Sequence, residues 1–135
     1  MNVIFAPPAT GKTHYCKRVN TNTLDEVMFG DMKSLRGLVD SHAKFTGCEP
    51  TVVLGIESRS VEELASDPFV SVKLVYPSRD MKEEYRQRFI NRGNDMYGWA
   101  KEILHRWDEM IDYCEKVEGV EKIQLTKGQY LTDVL

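Results

Sequence analysis

The chain has 135 residues, of which 41% are hydrophobic and 29% are charged, a balance typical of one globular domain and not of a disordered chain. Its formal net charge of −3 disfavours a protein that holds nucleic acid through a broad basic surface, because phosphate contacts need clustered lysines and arginines. It has three cysteines without a CxxC pair, no apolar run long enough to cross a membrane and no signal peptide, so we expect a cytoplasmic protein with neither a disulfide framework nor a membrane partner.

Short apolar segments alternate with helix-like segments along the chain. Strands are predicted over residues 2–6, 26–29, 51–56, 71–76 and 120–125, each an apolar or β-branched run. Helices are predicted over residues 11–20, 31–45, 61–65, 80–91 and 130–135, and over a long segment that begins at Asn94 or Asp95. This alternation indicates an α/β fold with a parallel sheet and helices on both faces, in a single domain spanning 1–135.

The predicted long helix carries a wide apolar stripe. Its apolar residues recur at steps of three or four: Met96, Trp99, Ala100, Ile103, Trp107, Met110, Ile111 and Cys114. Such a stripe is typical of a helix that packs on a core. We therefore predict that Trp99 and Trp107 belong to the core and not to a surface on which bases stack.

The segment directly after the first predicted strand carries the strongest functional signal. Residues 6–13 read A-x-x-x-x-G-K-T, the phosphate-loop pattern with Ala6 in place of the first glycine. Consecutive backbone N–H groups of such a loop surround an anion, and the following helix adds its free amides and the positive end of its dipole. Lys12 is predicted to bind the β- and γ-phosphates, and Thr13 to place a hydroxyl on Mg²⁺. The other predicted nucleotide contacts are Pro8, Ala9, Thr10, Gly11 and His14.

Through this motif the chain resembles the P-loop kinases, the relatives of adenylate, shikimate and polynucleotide kinases. Its small size and the run from Tyr76-Pro77 to Arg92-Gly93 are similar to small kinase-like proteins encoded by bacteriophages. The resemblance implies a three-layer P-loop NTPase fold with a five-stranded parallel sheet of order 2-3-1-4-5 and a short lid at about residues 78–94. It also implies phosphoryl transfer from ATP, with Mg²⁺ as the metal.

Residues that follow the other strands are further candidates, since ligands of parallel sheets bind at the carboxyl ends of strands. Asp31 is predicted to orient or activate the acceptor, and a helix N-cap is the alternative. Arg36 is a candidate for a substrate phosphate, with solvated surface as the alternative. Gly55 stands where the resemblance implies a Walker B acid, and Glu57 is the candidate that replaces it at the substrate site.

The segment after the fourth strand is locally basic in an acidic protein. Arg88 and Arg92 are four residues apart and so share a helix face. The resemblance implies lid arginines that offset the charge of the transferring phosphoryl group, so at least two of Arg86, Arg88 and Arg92 are predicted to contact phosphate. A surface helix held by the Glu84–Arg88 ion pair is the alternative. The resemblance also implies that Lys127 lies beside the adenine base.

The leading hypothesis is an ATP-dependent kinase for a nucleoside, a nucleotide or another small hydroxyl or phosphate acceptor. Lys12, Asp31, Arg88 and Arg92 are its predicted catalytic residues. One alternative is a polynucleotide or DNA-base hydroxyl kinase, whose acceptor is a DNA end or a modified base that enters an open pocket. The other is a non-catalytic nucleotide-binding interaction protein, which the missing Walker B acid favours.

Overall fold

A computed structural model describes residues 1–56, 59–94 and 98–135. The candidate Glu57 and the predicted helix residues Asp95 and Met96 lie outside this part of the chain. Within it, a five-stranded sheet is built from β1 (Asn2–Ala6), β2 (Thr23–Asp25), β3 (Thr51–Gly55), β4 (Ser71–Pro77) and β5 (Glu121–Leu125). All neighbouring strands are parallel and the order is β2-β3-β1-β4-β5, which confirms the expected α/β architecture and strand order.

Helices surround this sheet. They are α1 (Lys12–His14), α2 (Met32–Thr46), α3 (Val61–Ala65), α4 (Lys82–Asn91), α5 (Trp99–His105), α6 (Trp107–Lys116) and α7 (Leu131–Val134). The first continues as a π-helix over Tyr15–Val19, and a 3-10 turn over Arg79–Met81 leads into α4. Among the described residues, none of the helices has the length and apolar character needed to cross a membrane.

The central strand β1 sets the position of the candidate site. Its Phe5 lies opposite Leu54 of β3 and Leu74 of β4, and all three side chains are at most 1% exposed. Strands covered on both faces in this way form near-continuous apolar runs, which is why the sequence predicts them well. From β1 the chain moves to one side of the sheet, and after β3 it moves to the other. Residues that follow β1 therefore lie at the topological switch point, where ligands of such sheets bind.

The prediction for the second strand was wrong. The strand was expected over residues 26–29, whereas the sheet contains Thr23–Asp25. Glu26 still donates its amide to a carbonyl of β3 at 2.8 Å, and the chain then leaves the sheet with a left-handed φ of +52° at Glu26. Val27 and Phe29 pack against the core without entering the sheet. Pairing with β3 therefore sets this strand, and the apolar run that follows fills space beside it.

The predicted long helix is two helices, α5 and α6, separated by Arg106 with φ −98° and ψ 24°. In α5, Ala100 of the predicted stripe and Leu104 are buried, whereas Trp99 is 48% exposed. Trp107 of α6 is 1% exposed, and its indole N–H donates to a backbone carbonyl at 2.8 Å. The prediction that both tryptophans belong to the core is thus confirmed for Trp107 and wrong for Trp99.

Candidate phosphate-binding cleft

A cleft of about 870 Å³ opens beside the residues that follow β1. This volume lies in the usual range for small-molecule sites. The wall combines the segment after β1 with parts of α4 and α5 and with the residue before α7. Its lining residues are Pro8, Ala9, Gly11, Lys12, Thr13, His14, Glu26, Arg88, Asn91, Arg92, Trp99, Glu102, Ile103 and Tyr130. Most of the residues predicted to bind nucleotide therefore share one concave surface.

The backbone of residues 7–13, hereafter the 7–13 loop, has the shape of an anion-binding concavity. Ala9 and Gly11 are both left-handed, with φ of +64° and +89°. Left-handed residues in a tight loop turn neighbouring N–H groups toward one side, where they meet an anion. Thr10 lies between them, is fully buried, and donates its hydroxyl to the Pro7 carbonyl at 2.7 Å. A Cβ at Gly11 would lie 3.2 Å from Cδ1 of Tyr130, so this position needs glycine for its conformation and for space.

The Lys12 side chain is buried against the 7–13 loop. Its Nζ donates to the carbonyls of Ala6 at 3.2 Å and Pro7 at 3.0 Å. The same atom lies 3.6 Å from a carboxylate oxygen of Glu26, and the Lys12 side chain is only 8% exposed. These oxygen partners offset the cost of burying an ammonium group. The positive charge is therefore held in the wall of the cleft before any ligand arrives.

Arg88 joins three separate parts of the chain at the cleft wall. Its Nη1 donates to the Ala9 carbonyl at 2.9 Å, and its Nη2 donates to the Gln129 carbonyl and to Glu84, both at 2.8 Å. The guanidinium also lies 3.8 Å from the ring centroid of Tyr130, and Arg88 is only 7% exposed. The predicted Glu84–Arg88 pair is present, but spacing alone did not indicate the two carbonyl partners. Arg88 thus fixes the 7–13 loop to α4 and to the segment before α7.

The other predicted cations divide between the cleft and the outer surface. Arg92 lines the cleft from the end of α4, and it is exposed. Arg86 pairs with an acidic neighbour on α4 at 3.1 Å, and Arg36 pairs with Asp67 at 3.2 Å. Lys127 is exposed in the turn before α7. Among the described residues, the cleft lining contains Arg88 and Arg92 but not Arg86, Arg36 or Lys127.

The candidate carboxylate Asp31 and the carboxylate of Glu26 differ in position. Asp31 caps α2, where its side chain accepts a hydrogen bond from the Ser34 amide at 2.8 Å, and this bond lowers the pKa of Asp31. Asp31 is not among the described residues that line the cleft, whereas Glu26 is. Glu26 is a non-glycine residue with a left-handed backbone. This conformation is strained, and strained residues are concentrated at functional sites. Sequence reasoning missed Glu26 because it placed this residue inside the second strand.

Thr13, Glu26 and Glu102 line the cleft and carry side-chain oxygens of the kind that magnesium binds. The Thr13 side chain is exposed and lines the cleft, beside the residue that pairs with Glu26. No group of three or more His, Cys, Asp or Glu side chains able to hold a metal is found in the described parts of the chain. Mg²⁺ commonly takes one or two protein oxygens and completes its shell with phosphates and water. Gly55, which ends β3 beside Ala6, has no side chain that could bind a metal.

Two aromatic side chains of the cleft were not assigned to a site by the sequence. Tyr130 lies against Gly11 and against the guanidinium of Arg88. Trp99 contacts Phe89 edge to face, with ring centroids 5.5 Å apart and an interplanar angle of 83°. No local sequence pattern identifies Tyr130 as a site residue. The apolar stripe led to the prediction that Trp99 belongs to the core.

The cleft therefore unites a loop of left-handed turns, a buried ammonium group and an exposed hydroxyl. These are the groups that a multiply charged anion, such as a polyphosphate, requires of a binding site. No family model matches the chain, and no curated protein sequence is significantly similar to it. Function is accordingly inferred from the geometry of the cleft.

Proposed function

We propose that the protein is an ATP-dependent phosphotransferase, a kinase that uses Mg²⁺ and acts on a nucleoside, a nucleotide or another small hydroxyl or phosphate acceptor. The observation that carries this proposal is the presence, in one loop at the switch point of a parallel sheet, of the buried Lys12 ammonium group and of the left-handed residues Ala9 and Gly11. We include in the proposal the finer identity of the fold, a three-layer P-loop NTPase with a short lid at about residues 78–94.

The residues of the cleft divide the work of phosphoryl transfer. Lys12 and the amides of the 7–13 loop hold the β- and γ-phosphates, as a preorganised set of positive groups. Mg²⁺, when bound, neutralises phosphate oxygens, and Thr13 and Glu26 are the groups that would hold it. Arg92 is exposed at the cleft and offsets the charge that develops on the transferred group. Arg88 holds the loop in place from the cleft wall.

A carboxylate near the transferred group orients the acceptor hydroxyl and takes its proton. Asp31 is the candidate from the sequence. Glu26, whose carboxylate lies 3.6 Å from Lys12 Nζ, is the alternative if it serves the acceptor instead of the metal. Glu26→Gln and Asp31→Asn separate the two. Loss of acceptor-dependent turnover in only one of these variants, with unchanged ATP affinity, identifies the carboxylate that serves the acceptor.

The experiment that tests the proposal measures ADP formation from Mg·ATP while nucleosides, nucleotides and 5′-hydroxyl oligonucleotides are offered as acceptors. Turnover should depend on an acceptor and fall by at least about 100-fold in Lys12→Ala, because the lysine acts on charge that develops in the transition state. Lys17→Ala is the matched control, since Lys17 is exposed on the neighbouring π-helix. Turnover that survives in a folded Lys12→Ala protein contradicts the proposal.

A second candidate is a non-catalytic nucleotide-binding protein. Gly55 at the end of β3 favours it, because a glycine supplies no carboxylate for the metal. This candidate predicts tight binding of Mg·ATP and no turnover with any acceptor. Turnover with oligonucleotides alone would instead identify the polynucleotide or DNA-base kinase.

A further inference from the structure

Trp99 is a large aromatic side chain left half exposed inside the cleft. The chain has two tryptophans. Trp107 is 1% exposed, whereas Trp99 is 48% exposed and forms part of the cleft wall. Burying an indole is strongly favourable, so a tryptophan left open in a concave site gains from a ligand that covers it.

The indole of Trp99 packs against a buried aromatic ring. It packs perpendicular to the ring of Phe89, with centroids 5.5 Å apart, and Phe89 is fully buried. Trp99 also stands at the start of α5, so its backbone belongs to a helix. A fixed aromatic surface loses little conformational entropy on binding, which makes it an effective contact for a flat ligand.

The neighbours of Trp99 combine apolar, polar and charged groups. The acidic Glu102, three residues further along α5, lines the cleft and pairs with Arg106 at 2.7 Å. Ile103 is one turn further along α5 and also lines the cleft, so it extends the apolar surface. Asn91 and Arg92 line the cleft from α4, and an asparagine amide offers both a donor and an acceptor. The ammonium group of Lys12 lies in the same cleft. This charge distribution complements a ligand that is flat and aromatic at one end and anionic at the other.

We propose that Trp99 is the platform on which a nucleobase stacks when a nucleotide occupies the cleft. This inference deepens the proposed kinase function and rests on it. The base belongs to the triphosphate donor or to the acceptor, and every base presents the same kind of π-face to an indole. Asn91 pairs with the edge of the stacked base.

The donor arm of the test compares Mg·ATP with Mg·tripolyphosphate, which carries the same anionic chain without a base. Calorimetry is performed on the wild-type protein, Trp99→Leu and Trp99→Phe. If the adenine stacks on Trp99, Trp99→Leu weakens ATP binding by roughly 5- to 150-fold and leaves tripolyphosphate binding unchanged. Trp99→Phe restores most of the lost affinity. Phe45→Leu is the control, because Phe45 is 93% exposed and is not part of the described cleft lining.

The acceptor arm is run with Mg·ADP present, and it titrates nucleosides, nucleotides and 5′-hydroxyl oligonucleotides into the same proteins. A selective loss of affinity here, with ATP binding unchanged, assigns the stacked base to the acceptor. The ligand that shows the loss tells a free nucleotide from the end of a strand. Quenching of Trp99 emission is expected only with the ligand whose base stacks on it, while the emission of the buried Trp107 should change little.

The inference is overturned if Trp99→Leu leaves the affinity of every base-bearing ligand unchanged, or if it weakens tripolyphosphate as much as ATP. Either result leaves the proposed function standing, provided that tripolyphosphate binding depends on Lys12. Failure of the wild-type protein to bind tripolyphosphate and ATP overturns both proposals together.

Discussion

Two segments that carry basic residues, the 7–13 loop and α4 with Arg92, meet at the cleft. The sequence predicted the roles of the side chains better in the first segment than in the second. In the 7–13 loop, the motif alone predicted that Lys12 and Thr13 face a common site, and both line the cleft. Arg88 and Arg92 lie four residues apart at the end of α4, and the sequence predicted the same role for both, contact with phosphate. The structure instead buries Arg88 and leaves Arg92 exposed. Loop residues take their positions from the adjacent chain, whereas a helical side chain takes its role from whatever the fold packs against it.

The partners of Arg88 show how distant contacts decide a role. The Ala9 carbonyl that it binds lies 79 residues earlier in the chain, and the Gln129 carbonyl lies 41 residues later. The planar guanidinium of Arg88 directs its fixed donors to these protein oxygens and is only 7% exposed, so it joins segments of the chain. One turn further along, Arg92 has no ion-pair partner among the described residues and remains open to a ligand.

The largest effect on folding is expected from Arg88→Ala. Removing the buried guanidinium leaves the Ala9 and Gln129 carbonyls without this donor and takes the cationic partner from the Glu84 carboxylate, which should lower the free energy of unfolding by about 3 kcal/mol. Urea denaturation measures this value. Arg86→Ala is the control, because its exposed ion pair contributes less than about 1 kcal/mol. Equal stability of the two variants would remove the distinction between Arg88 and its helix neighbours.

Arg92→Ala is expected to do the reverse. Its stability should stay within about 0.5 kcal/mol of the wild-type value, because an exposed side chain without special contacts is lost. Its kcat should fall by about 100-fold, because a charge opposite the transferred group is removed. Arg92→Lys should recover only part of the rate, since lysine lacks the bidentate fork. If Arg92→Ala loses stability but keeps its kcat, Arg92 has the structural role that we assign to Arg88.

Gly11→Ala tests the loop side of the comparison. The substitution forces alanine into a φ of +89° and brings its Cβ to 3.2 Å from Tyr130, which should cost about 2 kcal/mol and weaken ATP binding. Gly119→Ala has a similar φ of +79° with no atom within 4 Å of the added Cβ. It should cost about 1 kcal/mol and leave ATP affinity unchanged. Equal effects of the two variants on ATP affinity would mean that the loop conformation is not part of the site.

The smallest effect on stability is expected at Asp31, a residue whose capping role follows from the adjacent chain alone. Its carboxylate accepts the Ser34 amide, and this bond holds the pKa of Asp31 below its ordinary value. A lowered folded-state pKa contributes stability above the unfolded-state pKa, and this contribution is lost as the pH falls through the folded-state value. Thermal unfolding should therefore show Asp31→Ala slightly less stable than wild type at neutral pH and equal to it in acid. A difference that grows in acid would contradict this account.

The fold was predictable where burial is uniform along the chain. β1, β3 and β4 lie inside the sheet and leave continuous apolar runs. β2 is an edge strand with a neighbour on one side only, so Thr23–Asp25 carries no such run and the apolar residues beyond it attracted the prediction. The break at Arg106 was missed for a related reason, because the apolar spacing continues across it.

The site was predictable only as far as the motif is local. Tyr130 reaches the cleft because the Leu131 amide donates to the Thr10 carbonyl at 2.9 Å, a contact between opposite ends of the chain. Trp99 lines the cleft from the first residue of α5, whose buried residues are Ala100 and Leu104. A single sequence carries no signal for such contacts, since they depend on how helices pack after the sheet has formed.

The central claim is that the 7–13 loop and Lys12 bind the tail of a nucleoside triphosphate. Calorimetric titration of Mg·ATP into the folded protein tests it most directly. We predict binding at one site per chain, competition by Mg·tripolyphosphate, and loss of this binding in Lys12→Ala but not in Lys17→Ala. Absence of binding at millimolar Mg·ATP, or equal affinity in a folded Lys12→Ala protein, would contradict the claim.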